Sequence, residues 1–337
     1  MNLKETYQKY KSSIKARWSK FVSTYFNHRE NARRKRVYGA LFGKTLRYVF
    51  LIGLCFVILF PTIQQILQAL RAPEDVNNPA VVWIPEHWSI KNIQLSLLVL
   101  DYKNALINTF KMSFISMVLQ VFATALAGYS FSRLRNKFSN ILFIVVILTI
   151  IIPPQALSLA QYLYFNQLGL IRKEISIYIM NAFGMGIRSG IFIFIFRQFF
   201  LGLPKEIEES AQIDGAGVFR TFWSVMLPNA RGALVTVSLF AFVWAWNDAY
   251  YVKIFEVSTE EFPLLTMRLI NVAENVYTAL FYTGGLQMVG QDIWENPLFL
   301  ALISNVSALL MMLPLLIMYL FVQRQFVESI ERTGIVG

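Results

Sequence analysis

Five runs of this 337-residue chain, 48–70, 112–132, 138–171, 232–247 and 296–323, contain no Asp, Glu, Lys or Arg. A helix facing water needs a charged or polar side, and soluble domains carry about 25% charged residues; here the fraction is 15%, with 56% hydrophobic. All but 232–247 reach the roughly 20 apolar residues that take a helix across a bilayer. That run extends across Arg231 and Asp248 at its ends, and a sixth apolar stretch, 176–199, is interrupted only by Arg188 and, near its end, Arg197. The expectation is an all-α integral membrane protein with six transmembrane helices, about 47–70, 109–132, 139–161, 176–199, 230–253 and 297–322. A basic segment 1–46 precedes this 47–322 domain, and a tail 323–337 follows it.

Residues 1–47 hold 13 Lys or Arg against Glu5 and Glu30, a net +11 that equals the excess of the whole chain. Basic loops mark the cytoplasmic side. With a cytoplasmic N-terminus, alternate loops divide 22 basic residues inside from 7 outside, and the acidic 254–295 loop falls outside. Six spans return the C-terminus to the cytoplasm. The first 45 residues show no apolar core of a signal peptide, so the first span reads as an uncleaved anchor. Within 1–25, Tyr7, Tyr10, Ile14, Trp18, Phe21 and Tyr25 recur at helical spacing among lysines. That pattern suits an amphipathic helix on an anionic membrane surface; a basic tail serving only as a topology signal is the other reading. The aromatic stripe argues against a nucleic-acid partner.

Cys55 is the single cysteine, and with His28 and His87 alone it builds neither an intrachain disulfide nor a zinc site. Gly39-Ala40-Leu41-Phe42-Gly43-Lys44-Thr45 imitates a phosphate loop but has three residues between its glycines where four are needed. No cofactor is expected in this chain, and no covalent chemistry. The energy for any transport must come from a partner chain or an ion gradient.

The polar insert 203–228, LPKEIEESAQIDGAGVFRTFWSVMLP, interrupts the apolar pattern. Pro204 suits a helix start. Glu206, Glu208 and Glu209 place negative charge at the positive end of the helix dipole. Asp214-Gly215 breaks the helix, and a second helix over about 217–226 stops at Leu227-Pro228. The insert is therefore read as a stiff helix–turn–helix projecting from the membrane.

Its spacing resembles the EAA loop of ABC importer permeases: Glu209-Ser210-Ala211, three residues, Gly215, nine residues, then Val225-Met226-Leu227-Pro228. Ser210 replaces the family's second residue and Val225 its Ile. The likeness extends to Asn108, Ala127-Gly128-Tyr129 with Arg133, Pro153-Pro154-Gln155-Ala156, Leu168-Gly169-Leu170, Trp246-Asn247-Asp248 and Gln323-Arg324-Gln325-Phe326-Val327. Over residues 40–337 the chain resembles the six-span, maltose-type permease subunit of binding-protein-dependent carbohydrate importers. The C-terminal Gly334-Ile335-Val336-Gly337 lacks the family's Lys. The resemblance implies an ABC type I importer permease fold with an EAA coupling helix in a plasma-membrane protein. The implied partners are a second homologous permease, two ABC ATPase subunits, an extracytoplasmic solute-binding protein and a carbohydrate, an oligosaccharide by family likeness. It assigns ATPase coupling to Glu206, Glu209, Ser210, Ala211, Asp214, Gly215, Leu227 and Pro228.

Polar groups within apolar spans mark candidate pathway residues. Arg188 sits near mid-membrane, either on the path or in a structural pair, for instance with Asp248. Trp244, Trp246, Asn247 and Asp248 combine aromatic faces with polar groups, as a sugar site would and as an interfacial belt would. Pro153, Pro154 and Pro314 are candidate hinges or fixed bends. The outer segments 71–108 and 254–295, the latter with Trp294, either meet a binding protein or simply cap the permease. A non-sugar solute, an ion-coupled secondary transporter and a membrane enzyme are the competing classes. Ion coupling would want buried carboxylates, of which only Asp248 lies near a span interior, and inverted repeats, of which none is visible.

Overall fold

The structure, a computed structural model, describes residues 3–25, 28–73, 75, 78, 83–134, 136–289 and 297–334. Trp294 and the last three residues of the C-terminal tail lie outside these. Among the described residues the regular elements are all helices, without strands; one antiparallel bridge joins Arg71 and Trp88. The chain divides into Met1–Gln64 and Gln65–Gly337.

The first unit holds α1, Leu3–Tyr25, and most of α2, His28–Ala69. The expected division at residue 46 does not coincide with a helix end. The basic residues from His28 onward continue unbroken into the charge-free run, because Lys and Arg are good helix formers.

The second unit is built on α4, Tyr102–Arg133, preceded by the short α3, Lys91–Val99. α5, Lys137–Ile151, starts at Asn136, whose side chain accepts from the Ser139 N–H at 2.7 Å. It ends at Ile152 because the residue before a proline is pushed out of the helical region; Ile152 takes φ −70 and ψ 121. Pro153 and Pro154 lead through a 3-10 turn into α6, Ser158–Gln167, and the chain turns by 104° there. Two consecutive residues without N–H donors leave no straight helix over 139–161.

The expected span 176–199 is likewise two helices, α7, Ile175–Ala182, and α8, Ser189–Gly202. Gly184 and Arg188 between them adopt left-handed φ of +67 and +62. Glycine reaches that region freely and arginine does not, so the break rests on tertiary contacts. Gln120 of α4 supplies them, its amide donating to Ile187 O at 2.7 Å and Ser189 Oγ at 2.8 Å.

Past the polar insert, which holds α9, Lys205–Ile213, α10, Val218–Thr221, and α11, Leu227–Asn229, comes α12, Arg231–Trp246. It is followed by α13, Tyr250–Ile254, α14, Leu265–Ile270, α15, Val272–Tyr282, and α16, Leu286–Val289. The last helix, α17, Pro297–Gly334, runs through Pro314 without interruption and carries the first residues of the tail. Among the described residues, three helical segments are long and apolar enough to cross a membrane: Lys35–Ala69, Tyr102–Arg133 and Pro297–Gln325. Two bent pairs, at 104° and 84°, raise the number to five, and Ser189–Gly202 is a shorter apolar helix.

The core joins α4, α8 and α12. Phe192, Phe196 and Phe200 of α8, four residues apart and so on one face, are each at 0% exposure. They pack with Ala125, Tyr129 and Val237. α4 also carries a buried polar face, Thr109, Ser113, Ser116, Gln120 and Thr124.

Candidate functional site

The polar insert forms a compact knob. Leu203 and Pro204 are extended, with ψ 134 and 138, so Pro204 caps α9 rather than occupying its first turn. α9 ends in a glycine cap. Gly215, at φ +81, donates to Gln212 O at 3.0 Å, and Ala216 N–H reaches back to Ala211 O at 2.9 Å. This six-to-one closure satisfies the last carbonyls of the helix and fixes the turn. Gly217 then starts α10, which passes through a π-helical turn, Phe222–Met226, into α11. The second helix therefore continues past Leu227-Pro228, and the chain turns by 84° at Ala230 into α12.

Phe222 and Met226, at 1% and 0% exposure, pin the knob to the core of α4, α8 and α12. Its second root is Glu208. Tyr129 donates to Glu208 Oε1 at 2.6 Å, and Arg133 Nε lies 2.6 Å from Oε2, an ion pair by distance although the N–H is off-line for a hydrogen bond. The sequence reading treated Glu208 only as dipole charge. The available signal was that Tyr129 and Arg133, four apart on one helix, present a hydroxyl and a cation side by side.

The outward surface carries the assigned residues. Glu206, Glu209, Ser210, Asp214, Gly215 and Pro228 are exposed, Ala211 and Leu227 half-buried. Beside them Ile213, Val218, Phe219 and Trp223 are 86%, 70%, 69% and 57% exposed. Trp223 meets Phe122 of α4 edge-on at 5.9 Å and so faces that helix, while Ile213, Val218 and Phe219 are exposed apolar side chains on a polar knob; the sequence does not single out these four because their spacing matches no single helix.

The five path candidates separate. The Arg188 guanidinium lies 5.7 Å from the Trp244 ring centroid, in cation–π range, and Trp244 stacks on Phe192 and Phe240 at 5.3 and 5.7 Å. Arg188 is exposed and Trp244 half-buried. Trp246 is buried, its indole donating to Met311 O at 3.3 Å. Asn247 is exposed and donates to Val243 O. Asp248 is buried and accepts from the Tyr251 N–H at 3.0 Å, which caps α13. The void beside it, lined by Ser116, Asn181 and Tyr251, measures about 10 Å³, room for one water and no sugar.

On the 71–92 segment, Asp75 Oδ2 accepts from the His87 N–H at 2.8 Å and Oδ1 meets His87 Nδ1 at 2.9 Å. These bonds hold the Asp75 carboxyl below the ordinary carboxylate range. Donor atoms of Asp75, Glu86 and His87 lie within 4.8 Å of one another, close enough to share a metal ion. His87 already engages both Asp75 oxygens, and the Arg71 guanidinium donates to the Asp75 carbonyl. A cation beside a candidate cation site works against it, and the group acts as a clasp on this segment.

Residues 104–258 match the family described as binding-protein-dependent transport system inner membrane component. The class this segment matches is thus the permease subunit of a binding-protein-dependent importer, and several helices are apolar and long enough to cross a membrane. Among relatives, the maltodextrin transport system permease protein MalD of Streptococcus pneumoniae is 26% identical over 302 residues, covering 86% of this chain and 95% of that one. The maltodextrin permease MdxG of Bacillus subtilis is 28% identical, with 88% and 98% covered. A solved structure, a bacterial ABC transporter involved in the import of the acidic polysaccharide alginate, superposes with a TM-score of 0.68 at 20% identity. It covers 87% of this chain and 98% of that one, and the fold is that of an ABC importer permease.

Proposed function

We propose that this chain is the translocating subunit of an ATP-driven importer for a carbohydrate, an oligosaccharide, working by alternating access. It pairs with a second homologous permease, two ABC ATPase subunits and an extracytoplasmic solute-binding protein, with six spans and both termini in the cytoplasm. The observation that carries the proposal is the knob: closed by the Gly215 cap, rooted through Glu208, and presenting Glu209, Asp214 and an apolar patch outward. A stiff element rooted in α4 and continuous with α8 and α12 transmits a push; a flexible loop would absorb it. The ATPases close on ATP and press the knob, opening the path outward, and hydrolysis resets it. No residue of this chain does covalent chemistry. The sugar-importing relatives support the substrate class. The buried, capping role of Asp248 favours this reading over ion coupling.

The test is co-purification of the complex from its native membrane, with the double variant Glu209→Lys, Gly215→Leu alongside. Gly215 has open space where a side chain would go, so the strain comes from its φ of +81 rather than from a clash. Expected is loss of the ATPase alone, with the second permease retained. A wild-type chain that emerges without any ATPase overturns the proposal.

On the path, the Arg188–Trp244 pair offers a cation beside an aromatic face, complementary to hydroxyls and to the apolar face of a pyranose. Trp244→Ala and Arg188→Gln are each expected to lower sugar uptake about tenfold, the equivalent of roughly 1.4 kcal/mol, with the complex still assembled. Uptake in proteoliposomes at wild-type rates for both variants removes these residues from the path.

A further inference from the structure

Helix α1 is 23 residues long and carries a surface that the transport reading leaves unused. At 100° per residue, Tyr7, Tyr10, Ile14, Trp18, Phe21 and Val22 fall within an arc of about 120°. Tyr7, Tyr10, Ile14 and Trp18 are 69%, 70%, 45% and 64% exposed, and Trp18 meets Phe21 edge-on at 6.1 Å. Lys11 falls just inside one edge of the arc and Lys15 just outside it, with Arg17 just outside the other edge. Lys9 and Lys20 stand on the far side of the helix, beyond Ser12, Ser19 and Ser23. Each of these serines donates to its own helix three residues back, at 2.9 to 3.0 Å, so that side is satisfied in water.

We propose that α1 lies on an anionic lipid surface, its Tyr–Ile–Trp face among the acyl-chain boundary and its bordering Lys11, Lys15 and Arg17 on headgroup phosphates. Three features point to lipid rather than protein. Aromatic rings with polar edges favour the bilayer interface. The cations border the apolar arc, where they reach headgroups while the rings are immersed, the arrangement of interfacial helices. The charge continues as Arg29, Arg33, Arg34, Lys35 and Arg36 at the start of α2, whose later residues are the charge-free run 48–70. Apolar side chains resume at Val37, nine helical residues from His28 and so about 14 Å along the axis. The headgroup layer spans about half of that, and helix tilt shortens the remainder.

The test uses the full-length chain in nanodiscs. Cys55 is the only cysteine, so Ile14→Cys and Ser12→Cys in a Cys55→Ala background each carry one spin label. Collision with oxygen, which concentrates in lipid, is compared with collision with a water-soluble nickel chelate. In phosphatidylglycerol-containing discs the oxygen-to-nickel ratio at position 14 should exceed that at position 12 several-fold. In pure phosphatidylcholine, or with Lys11→Glu and Lys15→Glu, the difference should largely collapse. Equal, water-like ratios at both positions in the anionic discs overturn the proposal. So does loss of both probes at position 14, which signals a protein partner, and so does a difference indifferent to lipid charge.

Discussion

Glu208→Ala should disable the coupling knob more completely than any change on its exposed surface. The carboxylate and its partner Arg133 are 14% and 13% exposed, and Tyr129 beneath them is 4% exposed. Breaking a buried ion pair from one side costs about 3–5 kcal/mol, because the remaining charge stays desolvated. Arg133 is poorly served elsewhere, since its Nη2 has no hydrogen-bond partner among the described residues. Two companions separate charge from packing. Tyr129→Phe removes one hydrogen bond and should cost about 1 kcal/mol. The double change Arg133→Met, Glu208→Leu removes both charges and should melt well above Glu208→Ala, since matched apolar replacements of buried pairs are often neutral. Thermal unfolding of the purified chain in detergent ranks the three. In the reconstituted importer, Glu208→Ala should lose sugar-stimulated ATP hydrolysis while Glu209, in the exposed surface, remains native. If Glu208→Ala melts with the wild type and stays coupled, the root lies elsewhere and Phe222 and Met226 hold the knob alone.

The knob was legible because its signals are local. Pro204 and Gly215 punctuate the backbone wherever they stand, and a fixed spacing to Leu227-Pro228 can be counted. The apolar runs were legible for the same reason. What was not legible depends on contacts distant in sequence. Residues 176–199 read as one span because nothing in their composition forbids a helix; the break at Gly184 and Arg188 is held from α4 by Gln120. Arg188 and Trp244 were singled out separately, and only the fold brings them within 5.7 Å. Trp246 and Asp248 stand close to Trp244 in sequence, yet Trp246 turns inward to Met311 and Asp248, past the end of α12, turns to the start of α13. The basic segment was treated as separate from the first span because charge changes there; the backbone does not, since helix propensity ignores that boundary.

Gly128→Ala, a single added methyl, is expected to be among the most damaging substitutions in the second unit. A Cβ built on Gly128 would stand 2.6 Å from Phe196 Cβ, 2.9 Å from Arg197 N and 3.1 Å from Ile193 O. Two of these three are backbone atoms of α8, so no rotamer change relieves the contact and the helices must part. Overpacking of a close-fitted core costs about 1–3 kcal/mol, and larger residues than Ala should exceed that. Small residues let membrane helices approach in this way, and α8 is gripped on its other side too. A Cβ on Gly190 would lie 2.7 Å from Thr149 Oγ1 and 3.1 Å from Val146 O of α5. Phe196→Ala supplies the discriminating control. It removes the ring but leaves the Cβ and the backbone, so it should not rescue Gly128→Ala; a rescue would show that the ring, not the backbone, sets the fit. Gly39→Ala in α2, with nothing within 4 Å of the new carbon, should be neutral or raise stability by up to about 1 kcal/mol through helix propensity. Because α8 ends at Gly202, two residues before Pro204 opens the knob, parting α4 from α8 also moves Glu208 away from Tyr129 and Arg133. Gly128→Ala should therefore lower the melting temperature and uncouple ATP hydrolysis together, whereas a purely local packing defect would lower the first and spare the second.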